Sequence, residues 1–201
     1  MRSAFSKIFW GFLLTLLEIH IQFIDILPDP VGYFLIFLGL QTLVEKYPIG
    51  NKAQVLAAIL AVLSIPTVFI NESGTMNPMD SPFTMWWVYS EVMMIIDLIL
   101  IFFIFQLMLE VVKDYQEEAL ETYTRKFFKV YILSNLALII FDALFINLSS
   151  EALVGLTIVA IVFFIILEIM FLVLLRKYMK LDDHPPIPPE EASISTEKPL
   201  A

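Results

Sequence analysis

The sequence predicts an all-α integral membrane protein: a bundle of six transmembrane helices with both termini cytoplasmic and a disordered acidic C-terminal tail. Three observations predict it. Of 201 residues, 59% are hydrophobic and only 16% are charged, with a mean hydropathy of +0.84; a soluble domain needs more polar surface than that. Six apolar stretches are separated by turn-forming residues. All 12 Lys and Arg fall in four segments, which alternate with three segments that contain none.

A spanning helix needs about 20 mainly apolar residues to cross a ~30 Å hydrocarbon core. The stretches 7–25, 30–47, 53–70, 85–112, 127–148 and 152–178 are the expected spans, which makes residues 1–180 one transmembrane domain and 181–201 a tail. The first is the most polar and the second is short, so these two could also form a tilted or re-entrant hairpin. Met1 to Leu17 imitates a signal peptide, but Glu18, His20 and Gln22 follow without a small-x-small cleavage site, which favours an uncleaved first span. Breaker chemistry marks the junctions: Pro28-Asp29, Pro48 to Lys52, the polar run from Asn71 to Thr84, and Ser149-Ser150-Glu151.

Charge sets the orientation. Arg2 and Lys7 precede the first span, Lys46 and Lys52 flank the second connection, Lys113, Arg125, Lys126 and Lys129 the fourth, and Arg176, Lys177, Lys180 and Lys198 follow the sixth. The alternate connections carry only acids, among them Asp29, Glu72, Asp80 and Glu151. The positive-inside rule then puts both ends in the cytoplasm. Trp86, Trp87 and Tyr89 at one level and Trp10, Tyr47, Tyr131 and Tyr178 at the other read as interfacial anchors. Lys113 to Lys126 reads as a helical linker prolonging the fourth span, with Glu121 and Arg125 at i,i+4 spacing. The tail after Lys180, rich in Pro and acids, is expected to be disordered.

Several function classes fall away. No continuous basic face exists to neutralise phosphates, so no nucleic-acid partner is expected. The chain has no Cys, which removes disulfides, thiolate metal sites and a Cys nucleophile. His20 lacks HxxxH or HExxH spacing, so no metal or other cofactor is expected. Neither GxGD nor GxSxG occurs, and the chain does not read as an enzyme. Two Asn-x-Ser triplets, at Asn71 and Asn147, hug the ends of spans and read as chance.

What remains is a set of polar side chains inside apolar stretches: Glu18, Asp25, Glu91, Asp97, Asn135, Asp142 and Glu168. An ionised acid near the middle of a spanning helix costs roughly 2.5–3.5 kcal/mol on insertion scales, so such residues usually face the bundle or a wet cavity. Two readings compete. The acids are protonated and hydrogen-bonded, tying helices together, or they form a polar pathway for protons or cations. Glu18, Gln22 and Asp25 lie on one stripe of the first span, and Asn135 and Asp142 on one stripe of the fifth; Glu91 and Asp97 fall on different faces of the fourth. A cluster built from the first, fourth and fifth spans is the expectation.

The most distinctive segment is Asp25-Ile26-Leu27-Pro28-Asp29-Pro30-Val31-Gly32-Tyr33. Asp29 suits an N-cap and Pro30 a first helical residue, while Gly32 and Gly39, seven apart, would let another helix approach closely. This segment resembles that of a group of uncharacterised multi-pass membrane proteins of Bacillus-type Gram-positive bacteria, which carry an aspartate–leucine–proline–aspartate turn before Gly-Tyr. The resemblance covers residues 10–45 and implies a bacterial plasma membrane. The expected role is helix packing against the lipid bilayer and a partner membrane protein or a second copy; the alternative is proton- or cation-coupled transport of a small solute through the intramembrane carboxylates.

Overall fold

A computed structural model describes residues 1–20, 29–66, 85–144 and 150–181, with the side chains of all of these except 18–20, 85–87, 141–144 and 150–154. The described residues form helices and turns only. In chain order the main helices are α1 (Arg2–His20), α2 (Asp29–Val44), α3 (Gly50–Leu63), α4 (Met85–Asp114), α5 (Glu118–Leu144) and α6 (Ser150–Met179). All six lie where the apolar stretches predict helices. The tail from residue 182 and the connections at 21–28, 67–84 and 145–149 lie outside the described residues.

The expectation of six spans does not survive. Among the described residues, only two helices are long and apolar enough to cross a membrane, Val88–Asp114 and Gly155–Met179. The reason is physical. At 1.5 Å per residue, the 16 residues of α2 and the 14 of α3 reach about 24 and 21 Å, short of a ~30 Å core. The predicted second span ended at Tyr47, but Glu45 to Tyr47 turn out of the helix, with both Lys46 and Tyr47 donating backbone bonds to the Leu43 carbonyl. Charge interrupts α1 at Arg2, Lys7 and Glu18, and the first half of α5 at Glu118, Glu121, Arg125, Lys126 and Lys129. Hydropathy alone had merged turns and charged helix ends into apolar runs.

The two qualifying helices do not resemble core helices of a soluble protein, which pass the same length test. Only 39% and 33% of their most apolar stretches are buried. Apolar exposure also extends round the bundle: Trp10 on α1, Phe34 on α2, Val62 on α3, Val92 on α4, Leu133 on α5 and Val159 on α6 are all exposed. Such an exterior is costly in water and natural in lipid.

The linker after α4 also differs from expectation. Rather than prolonging that helix to Lys126, the chain breaks at Gln116, a non-glycine residue in the left-handed region (φ 55°). Glu118 then begins α5, and the Glu121–Arg125 pair forms there at 2.6 Å.

Each helix packs against the next, and α6 returns to α1, closing a ring. Neighbours run antiparallel, as the pairing of Phe5 with Tyr178 shows for α1 and α6, and further pairs gather other helix ends at the same end of the bundle. Phe5 meets Tyr178 at 5.3 Å between ring centroids, the Tyr47 hydroxyl donates to Asp114 at 2.9 Å, and Tyr115 donates to the Met1 sulfur at 3.1 Å. This end gathers every described Lys and Arg, because it holds the starts of α1, α3 and α5 and the ends of α2, α4 and α6. The charge alternation of the sequence thus becomes a basic end of the bundle.

Packing is tightest between α1 and α2, where the predicted close approach occurs. A Cβ on Gly39 would lie 2.7 Å from the Ala4 carbonyl oxygen, and one on Gly11 2.6 Å from that of Gly32. Small residues seven apart on both strands of this antiparallel pair, Ala4 and Gly11 against Gly39 and Gly32, let the backbones touch. Across the ring the basic half is filled by rings: Phe105 of α4 contacts Phe127 and Tyr131 of α5 and Phe171 of α6 at 5.9, 5.6 and 5.2 Å, and Phe12 of α1 meets Phe171 at 5.1 Å.

Candidate functional site

Just beyond this aromatic plug, four helices contribute one polar group each. Tyr33 sits on the buried stripe of α2 with Ile36, Leu40 and Leu43; the i, i+3, i+7, i+10 spacing fixes its inward direction. The Asp97 carboxylate of α4 lies within electrostatic reach of the Tyr33 hydroxyl. On the other side, Tyr131 lies on the face of α5 that buries Thr124 and Phe127, and its hydroxyl donates to Oε1 of Glu168 on α6. The two pairs are close enough to feel each other's charge: Asp97 acts on Glu168, and Glu168 acts on Tyr33.

Burial at this cluster is severe. Tyr131 is 1% exposed, Glu168 6% and Tyr33 8%. Asp97 is half-buried. Buried carboxyl groups need hydrogen-bond partners, and phenol hydroxyls supply them without adding charge.

Two residues of the site expected from sequence stand in this cluster. Of the predicted residues, Asp97 and Glu168 come together. Asn135 does not join them: its side-chain nitrogen donates to the Tyr131 carbonyl at 3.0 Å, one turn back on its own helix. Glu91 is half-buried on α4, outside the cluster. Glu18 and Asp142 lie on α1 and α5 with side chains outside the described set, and Asp25 lies outside the described residues altogether. The polar groups described here come from α2, α4, α5 and α6, while the stripes expected to join them from the first and fifth spans, at Glu18, Gln22, Asp25 and Asp142, lie outside the described side chains.

The residues missed were the tyrosines. Tyr131, Tyr47 and Tyr178 read as interfacial anchors, yet each is buried to 2% exposure or less. The Tyr178 hydroxyl bonds to that of Thr124 at 2.9 Å. A signal was available, since Thr124, Phe127 and Tyr131 share one face at i, i+3, i+7. An aromatic belt residue has no reason to lie on the packing stripe.

A second polar knot closes the basic end. Asp114 accepts from the Tyr47 hydroxyl and pairs with Lys46 at 3.2 Å. The Tyr47 and Asp114 hydrogen bonds hold the Lys46 ammonium above the usual lysine range, against a small desolvation, and burial raises the Tyr47 phenol. Lys52 stands over the Phe103 ring at 5.3 Å and Lys177 over Tyr123 at 4.3 Å. These contacts involve exposed charges and fasten helix ends.

Above the cluster the bundle opens. On α6, residues 155–159 and 161–163 are all exposed, so no face of these two turns is covered, whereas Phe171, Leu174, Leu175 and Tyr178 below are sealed. On α4 the change comes at Leu100: Val92, Ile95 and Ile99 are exposed, and Leu100, Ile104 and Leu107 are buried. The α5–α6 contact is the slightest of the ring. Outside the ring, an open apolar groove of about 460 Å³ runs between α2 and α3 past Phe37, Gln54 and Val62. Among the described residues, no three His, Cys, Asp or Glu are gathered closely enough to hold a metal ion.

No family model, curated protein or solved structure matches the chain. The site therefore has to be read from its own chemistry.

Proposed function

We propose that this chain is a multi-pass protein of a bacterial plasma membrane, both termini cytoplasmic, which works by packing a partner membrane protein or a second copy against its open half. The observation that carries this reading is α6, where residues 155–159 and 161–163 are exposed, whereas from Leu167 onward one face, with Phe171, Leu174, Leu175 and Tyr178, is buried. Membrane residence draws support from the apolar exterior and from the two helices of spanning length. The basic end supports the orientation, and the resemblance over residues 10–45 supports the bacterial setting.

The chain has no Cys, so single cysteines report cleanly. A cross-linkable cysteine replacing Val159 should give a discrete protein adduct in native membranes, and one replacing Met170, exposed on the basic half, should give none. Adducts at neither position, with both variants expressed, would remove the partner reading.

A second reading is favoured by one specific observation, the convergence of Asp97 and Glu168 below the open half. It is proton- or cation-coupled transport of a small solute. Asp97→Asn should then abolish gradient-driven flux in proteoliposomes while leaving expression intact. If the unaltered protein moves no solute under any imposed gradient, this reading is finished.

A further inference from the structure

The groove on the outside of the ring, between α2 and α3, is apolar along its length and polar at one end. Gln54, Val55, Ala58, Ile59 and Val62 form its wall on α3 and Phe37 its wall on α2, with Phe34 stacked on Phe37 at 6.3 Å. Gln54 stands nearest the basic end of the bundle, where α3 begins at Gly50. Two more polar residues continue from it. Asn51 leads the stripe of Val55, Ala58 and Val62 at i, i+4, i+7 and i+11, and Lys52 shares an edge with Val55, Ile59 and Val62 at i, i+3, i+7 and i+10. We propose that this groove holds one acyl chain of an anionic phospholipid, whose phosphate headgroup is bound by Lys52 beside Asn51 and Gln54.

Length, charge and volume choose this occupant. From Gln54 to Leu63, α3 rises about 13.5 Å at 1.5 Å per residue, close to the ~15 Å that one leaflet contributes to a ~30 Å core. The groove therefore matches one leaflet, with its polar mouth at the level of the basic end. The turn between α2 and α3 sets Lys46 and Lys52 against Glu45. Asp114 engages Lys46 at 3.2 Å, whereas the described contact of Lys52 is the Phe103 ring at 5.3 Å, and a ring holds an ammonium without neutralising it. Both Asn51 and Lys52 are exposed. A basic group at the mouth of an apolar groove between helices is the arrangement that attracts an anionic headgroup. A helix of another chain fits less well. About 10 Å across, it would fill on the order of 1000 Å³ over the same length, more than twice the groove's volume of about 460 Å³.

The inference rests on the membrane reading and needs neither a partner at α6 nor flux. It is tested by native mass spectrometry of the full chain released from nanodiscs of equal phosphatidylglycerol and phosphatidylcholine. The unaltered protein should retain one phosphatidylglycerol per chain under activation that strips the other lipid. Ala58→Trp, which fills the groove, should lose it, and Leu133→Trp, the same bulk at an exposed position on α5, should keep it. Val62→Trp, at 65% exposure, serves if Ala58→Trp fails to fold. Lys52→Gln should cut the preference for phosphatidylglycerol over phosphatidylcholine about fivefold. No retained lipid, equal retention of the two headgroups by the unaltered protein, or equal loss in Ala58→Trp and Leu133→Trp overturns the proposal. So does a protein adduct at a cross-linkable cysteine replacing Val62, which would give the groove to another chain. A chain recovered in the supernatant of lysed cells without detergent defeats the membrane reading and this inference with it. A chain confined to the membrane pellet that retains no lipid defeats this inference alone, and retained lipid without an adduct at Val159 defeats the partner reading alone.

Discussion

Along α6, Phe171, Leu174, Leu175 and Tyr178 are sealed at the basic end, whereas Leu156, Ile158, Val159 and Val162 two to four turns earlier are exposed; α4 shows the same change about Leu100. Composition explains the contrast. The basic half carries rings from four helices, Phe5, Phe12, Phe105, Phe127, Tyr131, Phe171 and Tyr178, which reach across the bundle and interlock at centroid distances of 5.1–5.9 Å. The open half of α6 begins Gly155-Leu-Thr-Ile-Val-Ala-Ile-Val162, mostly β-branched and small side chains, and the ring that follows, Phe163, is itself exposed rather than turned across the gap. On the proposed membrane reading, lipid would supply no hydrophobic pressure to close it, since acyl chains are as apolar as these residues. Closure in this bundle follows the aromatic rings.

The largest effect should come from cutting the plug. Phe105→Ala removes a ring that touches Phe127, Phe128, Tyr131 and Phe171 and should cost about 3–5 kcal/mol, read as a lowered unfolding midpoint in detergent. Val159→Ala, at 65% exposure, should stay within about 0.5 kcal/mol of the unaltered protein. Equal costs at the two positions would mean that the halves do not differ as described.

Glycine offers the sharper pair. Gly39→Ala puts a methyl 2.7 Å from the Ala4 carbonyl oxygen, a backbone atom that cannot turn aside, and Gly155→Ala meets nothing within 4 Å. The first should destabilise by about 1–3 kcal/mol through overpacking. The second should be neutral or stabilise by up to about 1 kcal/mol, the helix propensity gained. Opposite signs from one chemical change would separate the halves without any change of side-chain polarity.

Much of this was legible in the residues. Helix positions followed from apolar runs and breakers, the basic end from the alternation of charge, and a close helix contact on α2, though not its partner, from Gly32 and Gly39 at heptad spacing. What a sequence period reports is the face a residue occupies. It does not report which helix that face meets, so Asp97 and Glu168 could be listed as buried acids but not joined. The tyrosines were misread for a related reason: Tyr47, Tyr131 and Tyr178 lie near the ends of the predicted spans, where belt residues collect, whereas packing buries all three. Span count failed on a simpler ground. Hydropathy runs through Glu45, Lys46 and Tyr47 without marking that the helix has already turned.

At the junction between the halves, Tyr131→Phe should cost about 1–2 kcal/mol, because Glu168 keeps its burial and loses its donor. Asn135→Ala, four residues on, should cost less than about 1 kcal/mol, since the bond lost is to its own helix. A cost at Asn135 equal to that at Tyr131 would show that polarity on this stripe, rather than the link between helices, holds α5 in place.

The smallest effect belongs to the basic end. Lys46 and Asp114 have half-exposed side chains, 55% and 44%, and exposed ion pairs contribute only about 0.2–1 kcal/mol. A double-mutant cycle on Lys46→Met and Asp114→Asn should return a coupling in that range, weakening with added salt. Tyr47→Phe tests the other arm of the same knot. The Tyr47 phenol is almost wholly buried at 2% exposure and donates to Asp114 at 2.9 Å, so its loss should be salt-independent and exceed that of the ion pair. Were the Lys46 coupling the larger of the two, the basic end would be held by its charges, and the contrast between the halves would be one of electrostatics and not of ring packing.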